Sequence, residues 1–448
     1  MTVNAHGFTK KLAGFIVHTD AATIPPWAYD HAKVAFMDWL AVTFGGKDDP
    51  LVLKLIDYAS MVGGNEQATI IGHKMKKDVS HAALINGSAS HALDYDDTLV
   101  SFLGHPSVTL FPALLALAEW KQKPGQDFLT AYLIGLQVGG TIGACASLDH
   151  YMAGWHATST LGHLASAAGC ARLLGLDEQQ AVYALGIGGT QSSGLKRVFG
   201  TMCKPFHAGR ASQAGLMAAL LAQDGFTSAD DILEGPQGFF EALRGKVNEE
   251  IVALLGLGWD VQNLSQKYHA SCHATHSPLE AALTLVKEER IALADIKGIC
   301  VHSSRLALDA AGKTAPVNGL EGKFSIPYCV ANALLRSQTG IQAFTNDKVR
   351  DPSVRALMKK ITVIHDPEMK ALEAIVEIET KEGKVYKHFS DILQQIPPLT
   401  VKQNRVRSKF MDLVGPILGK KKAQKLADTV AEMERVDNMR LLTEDLLQ

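Results

Sequence analysis

The sequence predicts a mainly helical protein: a large helical body built from both chain ends, plus a smaller α+β domain. Three observations predict it. Apolar residues recur at helical spacing through most of residues 1–260. Strand-like alternation begins only after about residue 290. Helical periodicity then returns over residues 402–448.

Taken in order, "AYDHAKVAFMDWLAVTFGG" places Ala32, Val34, Ala35, Met37, Trp39 and Leu40 near helical period and stops at Gly45-Gly46. "SVTLFPALLALAEW" and "DFLTAYLIGLQVGGTIG" continue the pattern. In "TSTLGHLASAAGCARLLGLD" small residues cover most of the surface. Gly162, Ala165, Ser166, Ala168 and Gly169 let neighbours approach closely, which predicts a central, buried helix. "DEQQAVYALGIGGTQSSGL" opens with Asp177 as its N-cap, and "RASQAGLMAALLAQDG" stops at Gly225. In the β-rich part, "IKGICVHSS" alternates Ile299, Val301 and Ser303 against Cys300 and His302. "KKITVIHD" and "EAIVEIETKEGKVYKHFS" repeat the alternation, and Glu382-Gly383 supplies a hairpin turn. "SIPYCVANALLRSQTG" and "DPSVRALMKKI" read as helices between those strands, and Pro397-Pro398 closes the domain. The expected division is therefore 1–264 with 400–448 as the helical domain, and 265–399 as the α+β domain. No internal repeat is visible.

A chain of 448 residues is too long for one simple core. The formal charge of −2 and the low aromatic content of 7% exclude a basic, base-stacking surface, so no nucleic-acid partner is expected. The most apolar stretch, Phe128 to Ala146, is broken by glycines, and no membrane partner is expected. The first twenty residues lack the apolar core of a signal peptide, and the six cysteines are scattered without a CxxC pair. Together these predict reduced thiols and a cytoplasmic location.

Four segments mix catalytic residue types with glycine or proline: "HALDYDDTLVSFLGHPS" at 91–107, "GWHATST" at 154–160, "GTMCKPFHAGRAS" at 200–212 and "QKYHASCHATH" at 266–276. If they meet, they form one pocket of carboxylates, imidazoles and two lysines. No phosphate-binding glycine loop or nucleophile elbow is present. "HASCHATH" crowds His269, Cys272, His273 and His276, which on one helix could share a face. Zinc sites seldom come from one crowded turn, and no metal is expected. Each segment alone also has an ordinary explanation. Asp94, Asp96 and Asp97 could cap a helix, His105-Pro106 could start one, and Lys204 and Lys267 could be surface lysines.

The ordered set is more specific than its parts. "NGSASHALDYDDT", "HPSVTLFPALLALAE", "GWHATSTLGHLASAAGCARLLGLD", "KPFHAGRASQAGLMAALLA", "KYHASCHATH" and "EGKFSIPYCVANAL" resemble the MmgE/PrpD superfamily over nearly the whole chain. The resemblance implies a large all-helical domain with a smaller α+β lid, a homodimer, and an active site in the cleft between the domains. It implies chemistry without metal or organic cofactor. Known members include 2-methylcitrate dehydratase, cis-aconitate decarboxylase and iminodisuccinate epimerase. Carried over by position, it implies pocket roles for Asp94 and Thr98 of "DYDDT", His105 of "HPS", His156 of "GWH", Lys204 of "KPFHAG", Lys267 of "QKYH" and Tyr328 of "SIPY". Asp96 and Asp97 are left as structural caps.

These residue types suit proton transfer beside a carboxylate. Cations stabilise the charge that develops there, a task for Lys204 and Lys267, with Arg210 and His207 as further substrate contacts. A neutral histidine, His105 or His156, is the natural base, and Asp94 could orient it or deliver a proton. A di- or tricarboxylate is the expected substrate. The stretch Phe206-His207-Ala208-Gly209-Arg210 departs from the 2-methylcitrate dehydratase pattern, whereas the lysine–histidine–glycine style is shared by decarboxylases and the epimerase branch. Chain length and "HASCHATH" favour an epimerase of iminodisuccinate type, with a decarboxylase-like or dehydratase-like lyase as the alternative and a non-catalytic binding relative behind both.

Overall fold

The computed structural model describes residues 7–446. The chain divides into two units, Met1–Gln266 with Pro398–Gln448, and Lys267–Pro397; the sequence places these boundaries at 264/265 and 399/400.

The first unit is not all-helical as expected, since it holds one short antiparallel pair, Ala68–Thr69 with Lys76–Lys77; the rest of its regular structure is helical, and small residues decide how the helices pack. The helix Ala157–Leu174 is buried along almost its entire length, as its Gly, Ala and Ser content predicts. It packs against the helices Ser107–Lys121, Gly125–Met152 and Cys203–Gln223. Gly125–Met152 is long and apolar enough by composition to cross a membrane, longer than the 128–146 stretch suggests, and it is largely buried inside the unit. Asp177 caps the helix Glu178–Thr190 through a reciprocal bond with Gln180, as expected.

One close approach sets the position of the site. A Cβ on Gly87 would come 2.7 Å from the Cα of Gly209, and one on Gly209 would come 2.2 Å from the carbonyl oxygen of Leu84. The helices Val79–His91 and Cys203–Gln223 therefore touch backbone to backbone, and no larger residue fits there. Beyond this crossing, the last turn of the first helix meets the first turn of the second.

The helix Leu399–Leu418 packs on the helix Pro26–Gly46, so the late segment rejoins the early one. It carries two buried lysines. Lys402 donates to the carbonyls of Gln262 and Leu264, at 3.0 and 2.8 Å. Lys409 donates to the carbonyl of Tyr95 at 2.6 Å and lies 2.7 Å from Asp38 Oδ1.

The second unit holds a four-stranded sheet in the order Ile361–His365, Ile296–Ser303, Ala374–Thr380, Val385–Ser390. The first pair is parallel and the other two are antiparallel. Ile299, Val301 and Ser303 are buried, while Cys300 and His302 are half-buried, the alternation read from the sequence. The hairpin turn contains Gly383 at φ +86°, a conformation that favours glycine. The helix His276–Glu288 covers the two hairpin strands, and Ile326–Arg336 packs on that helix.

Candidate active site

Three helices of the first unit begin beside one another, and each start carries a predicted residue. His105 immediately precedes Pro106, the N-cap of Ser107–Lys121. His156 is the N-cap of Ala157–Leu174. Lys204 is in the first turn of Cys203–Gln223. The backbone N–H of His105 donates to Thr158 Oγ1 at 3.1 Å, which joins the first two starts. Helix N-termini carry partial positive charge and unpaired N–H groups, so this grouping favours an anion.

The turn after His91 supplies the acids. Asp94 adopts φ +50°, a left-handed conformation that aspartate tolerates better than most residues. Its partly exposed carboxylate accepts from Lys204 Nζ at 3.0 Å, and His105 Nε2 lies 3.9 Å from the same oxygen. Asp94, His105 and Lys204 therefore form one contact group. Thr98 pairs through its backbone with Ser265, at 2.9 Å in both directions, and its buried Oγ1 meets no hydrogen-bond partner among the described residues.

Asp96 and Asp97, which the sequence reading leaves as structural caps, are both buried. The Asp96 carboxylate accepts from His91 Nδ1, at 2.9 and 3.0 Å to its two oxygens. His105 Nδ1 approaches it at 2.8 Å, too obliquely for a linear hydrogen bond but at ion-pair distance. Burial alone would oppose ionisation, yet the two imidazoles hold the Asp96 carboxyl well below the usual carboxylate range. Burial pushes Asp97 the other way, well above that range, and it accepts from Ser107 Oγ at 2.5 Å. The reason for the difference is the partner: imidazoles for Asp96, a neutral hydroxyl for Asp97.

His91 is a residue the sequence reading passes over. It is fully buried, and burial lowers its pKa to about 4, so it is neutral near pH 7. Its ring lies 4.6 Å from that of His105 and 6.2 Å from that of His156. The signal was present as the first letter of "HALDYDD", but a histidine ending an apolar helix reads as core.

His156 and His207 meet through their Nδ1 atoms at 3.0 Å, so one ring donates to the other. Burial, reinforced by His91 and Lys204, holds His156 well below the ordinary imidazole value, and burial also lowers His207. His207 thus joins the set by contacting His156. Arg210, expected as a substrate contact, is exposed and donates to Gln213, which bonds Ser80. Its hydrogen bond runs along its own helix to Gln213, one turn further from the helix start.

Lys267 and Tyr328 belong to the second unit. Lys267 is buried there. Tyr328 is also buried, and its hydroxyl donates to the carbonyl of Ala343, so the phenol expected to contact substrate is engaged inside its own unit. A buried phenol needs an acceptor, and the packed interior supplies one. The "HASCHATH" residues do not share one helix face. His273–Thr275 is a short 3-10 turn, and the α-helix starts at His276. His269 is held by Thr339 and Glu280, at 2.7 and 3.0 Å, which makes it part of a structural knot.

Donor atoms of His91, Asp94, Asp96 and His105 all lie within 4.8 Å of one another, close enough to surround a cation. The Lys204 ammonium already neutralises Asp94, and His91 Nδ1 already bonds Asp96. The cluster is thus organised as acid–base groups around protons.

Two family models match the chain: the MmgE/PrpD N-terminal domain over residues 10–251 and the MmgE/PrpD C-terminal domain over residues 269–435. The chain belongs to the MmgE/PrpD family. Its similar relatives include a cis-aconitate decarboxylase of Aspergillus terreus, 27% identical over 98% of this chain and 95% of the relative. A cis-aconitate decarboxylase of Mus musculus is 26% identical over 97% and 92%. A mitochondrial 2-methylcitrate dehydratase of Yarrowia lipolytica is 25% identical over 86% and 80%. The MmgE/PrpD assignment accounts for the mainly helical chain with its small sheet region.

Proposed function

We propose that the protein is an acid–base lyase acting on a tricarboxylate, of the cis-aconitate decarboxylase kind. One observation carries the reading: a carboxylate, an imidazole and an ammonium (Asp94, His105, Lys204) meet within 3.9 Å at the convergence of three helix starts. The named relatives at 26–27% identity are decarboxylases, which moves the reading from the epimerase expected on sequence to the lyase alternative. The dehydratase reading is second. A 25% identical relative supports it, and the Phe206–Arg210 stretch disfavours it.

In such a decarboxylation the C–C bond to one carboxylate breaks and its electron pair stays on the remaining carbon chain. The pair delocalises into the conjugated double bond and carboxylate. A proton is then delivered to carbon, and CO₂ departs. Lys204 and the three helix starts stabilise the polyanion and the charge that develops on it. His105 Nε2, beside Asp94, is the atom suited to give the proton and be recharged from solvent.

The test is proton NMR of the purified protein with cis-aconitate, 2-methylcitrate and iminodisuccinate in separate tubes of D₂O. Loss of CO₂ from cis-aconitate with one deuterium from solvent incorporated at carbon in the product is the expected result. Water loss from 2-methylcitrate alone would select the dehydratase reading. Stereoisomer exchange of iminodisuccinate alone would restore the epimerase.

A further inference from the structure

The geometry points to Asp96 as a positioning residue that sets the tautomer of His105, with the buried His91 as the group that holds Asp96 in place. The inference rests on the acid–base reading of His105 given above, and goes beyond it to a residue that reading does not use.

An ionised carboxylate has only acceptor sites. Asp96 is fully buried and held in its ionised form, and two ring nitrogens face it, His91 Nδ1 at 2.9 and 3.0 Å and His105 Nδ1 at 2.8 Å. A nitrogen lone pair at that distance from a carboxylate oxygen would be repelled. Both Nδ1 atoms therefore carry their protons. The consequence for His105 is specific: in its neutral form the lone pair is on Nε2, the atom that lies 3.9 Å from Asp94. Proton exchange is directed to one ring edge, away from the protein interior.

His91 makes the arrangement rigid. It ends the helix Val79–His91, which lies backbone to backbone against Cys203–Gln223 at Gly87, one turn before it. Being neutral and buried, it gives Asp96 a hydrogen bond without neutralising its charge. Its Nε2 meets no hydrogen-bond partner among the described residues, so Nδ1 is the end of the ring that the fold uses. The backbone N–H of His105 is held by Thr158 Oγ1, and its ring Nδ1 faces Asp96 at 2.8 Å. A carboxylate behind a catalytic imidazole acts in this way in other enzymes, where exchanging it for an amide presents the wrong tautomer and lowers kcat by about 10⁴-fold.

The experiment combines ¹⁵N NMR of imidazole-labelled protein with steady-state kinetics, His105 resonances being assigned by their loss in His105→Gln. In the wild type, His105 and His91 are expected as Nδ1–H tautomers. In Asp96→Asn, one imidazole must turn a lone pair to the amide N–H, and His105 is expected to change to Nε2–H. With the substrate that the wild type turns over, kcat should fall about 10²–10⁴-fold while KM stays within about threefold. Wild-type His105 in the Nε2–H form overturns the inference, and this result needs neither substrate nor the Asp96→Asn variant. A folded Asp96→Asn that keeps its kcat, or loses it with His105 unchanged, overturns it as well. If the wild type acts on none of the acids offered, the functional reading fails while the tautomer result still decides this one.

Discussion

Lys204 Nζ donates to Asp94 Oδ1 across 3.0 Å, and this contact ties the start of one helix to the turn that ends another. The pair sits at the edge of the buried cluster, with Asp94 partly exposed, so its value lies in placing charge and not in stability. A bound carboxylate would compete with Asp94 for the same ammonium.

Lys204→Met and Asp94→Asn should therefore each lower kcat/KM by about 10²–10⁴-fold with little change in unfolding. The two should act as a unit. The double variant should be less than about tenfold worse than the poorer single one, because each change already disables the pair. Losses that simply multiply would separate the two residues' roles. The measurement is a four-member kinetic cycle on one substrate.

The second prediction concerns Lys409 and Asp38, an ion pair at 2.7 Å between two almost fully buried side chains. Breaking such a pair leaves an uncompensated charge, which costs about 3–5 kcal/mol. Lys409→Met should lose about that much in urea denaturation. Asp38→Leu combined with Lys409→Met should recover at least half of it, since no orphan charge remains. A double variant as unstable as the single would mean that the Tyr95 carbonyl, not the ion pair, is what Lys409 serves.

The third prediction is a pH dependence. Burial pushes the Lys402 ammonium down from 10.5 to about 8, with Asp97 opposing the shift. Between those values the unfolded chain binds the proton that the folded chain releases, so stability from this group rises with pH. The cost of burying the charged form is fully present below about pH 8 and disappears toward pH 10.5. At 1.36 kcal/mol per unit it amounts to about 3 kcal/mol. The unfolding free energy of the wild type minus that of Lys402→Met should therefore increase between about pH 7.5 and about pH 10. A flat difference would show that Lys402 titrates normally.

Much of the helical body is readable from the chain itself, because glycine and alanine at close spacing have one efficient use, close packing around the buried Ala157–Leu174 helix. His105, His156 and Lys204 are readable for a related reason. Each interrupts an apolar pattern where a helix must begin. What is not readable depends on distant partners. Asp96 resembles a solvated cap until two imidazoles are seen to face it, and His91 resembles core until Asp96 is seen beside it. Lys409 resembles a surface lysine because its partners, Asp38 and Tyr95, are more than 300 residues earlier. Arg210 and Tyr328 show the opposite case: suitable chemistry whose hydrogen bonds go to Gln213 and to the Ala343 carbonyl.

The contact from Lys409 to the carbonyl of Tyr95 has a consequence for synthesis. Tyr95 lies between the two aspartates that serve the cluster, and the lysine that anchors it is made 314 residues later. A ribosome has therefore finished the whole second unit before the turn carrying Asp94 and Asp96 receives its last support. The growing chain must keep that turn, with its buried acids, waiting in an unfinished body. A chain released before residue 409 would contain His91, Asp94, Asp96 and His105, yet lack the lysine that holds their turn.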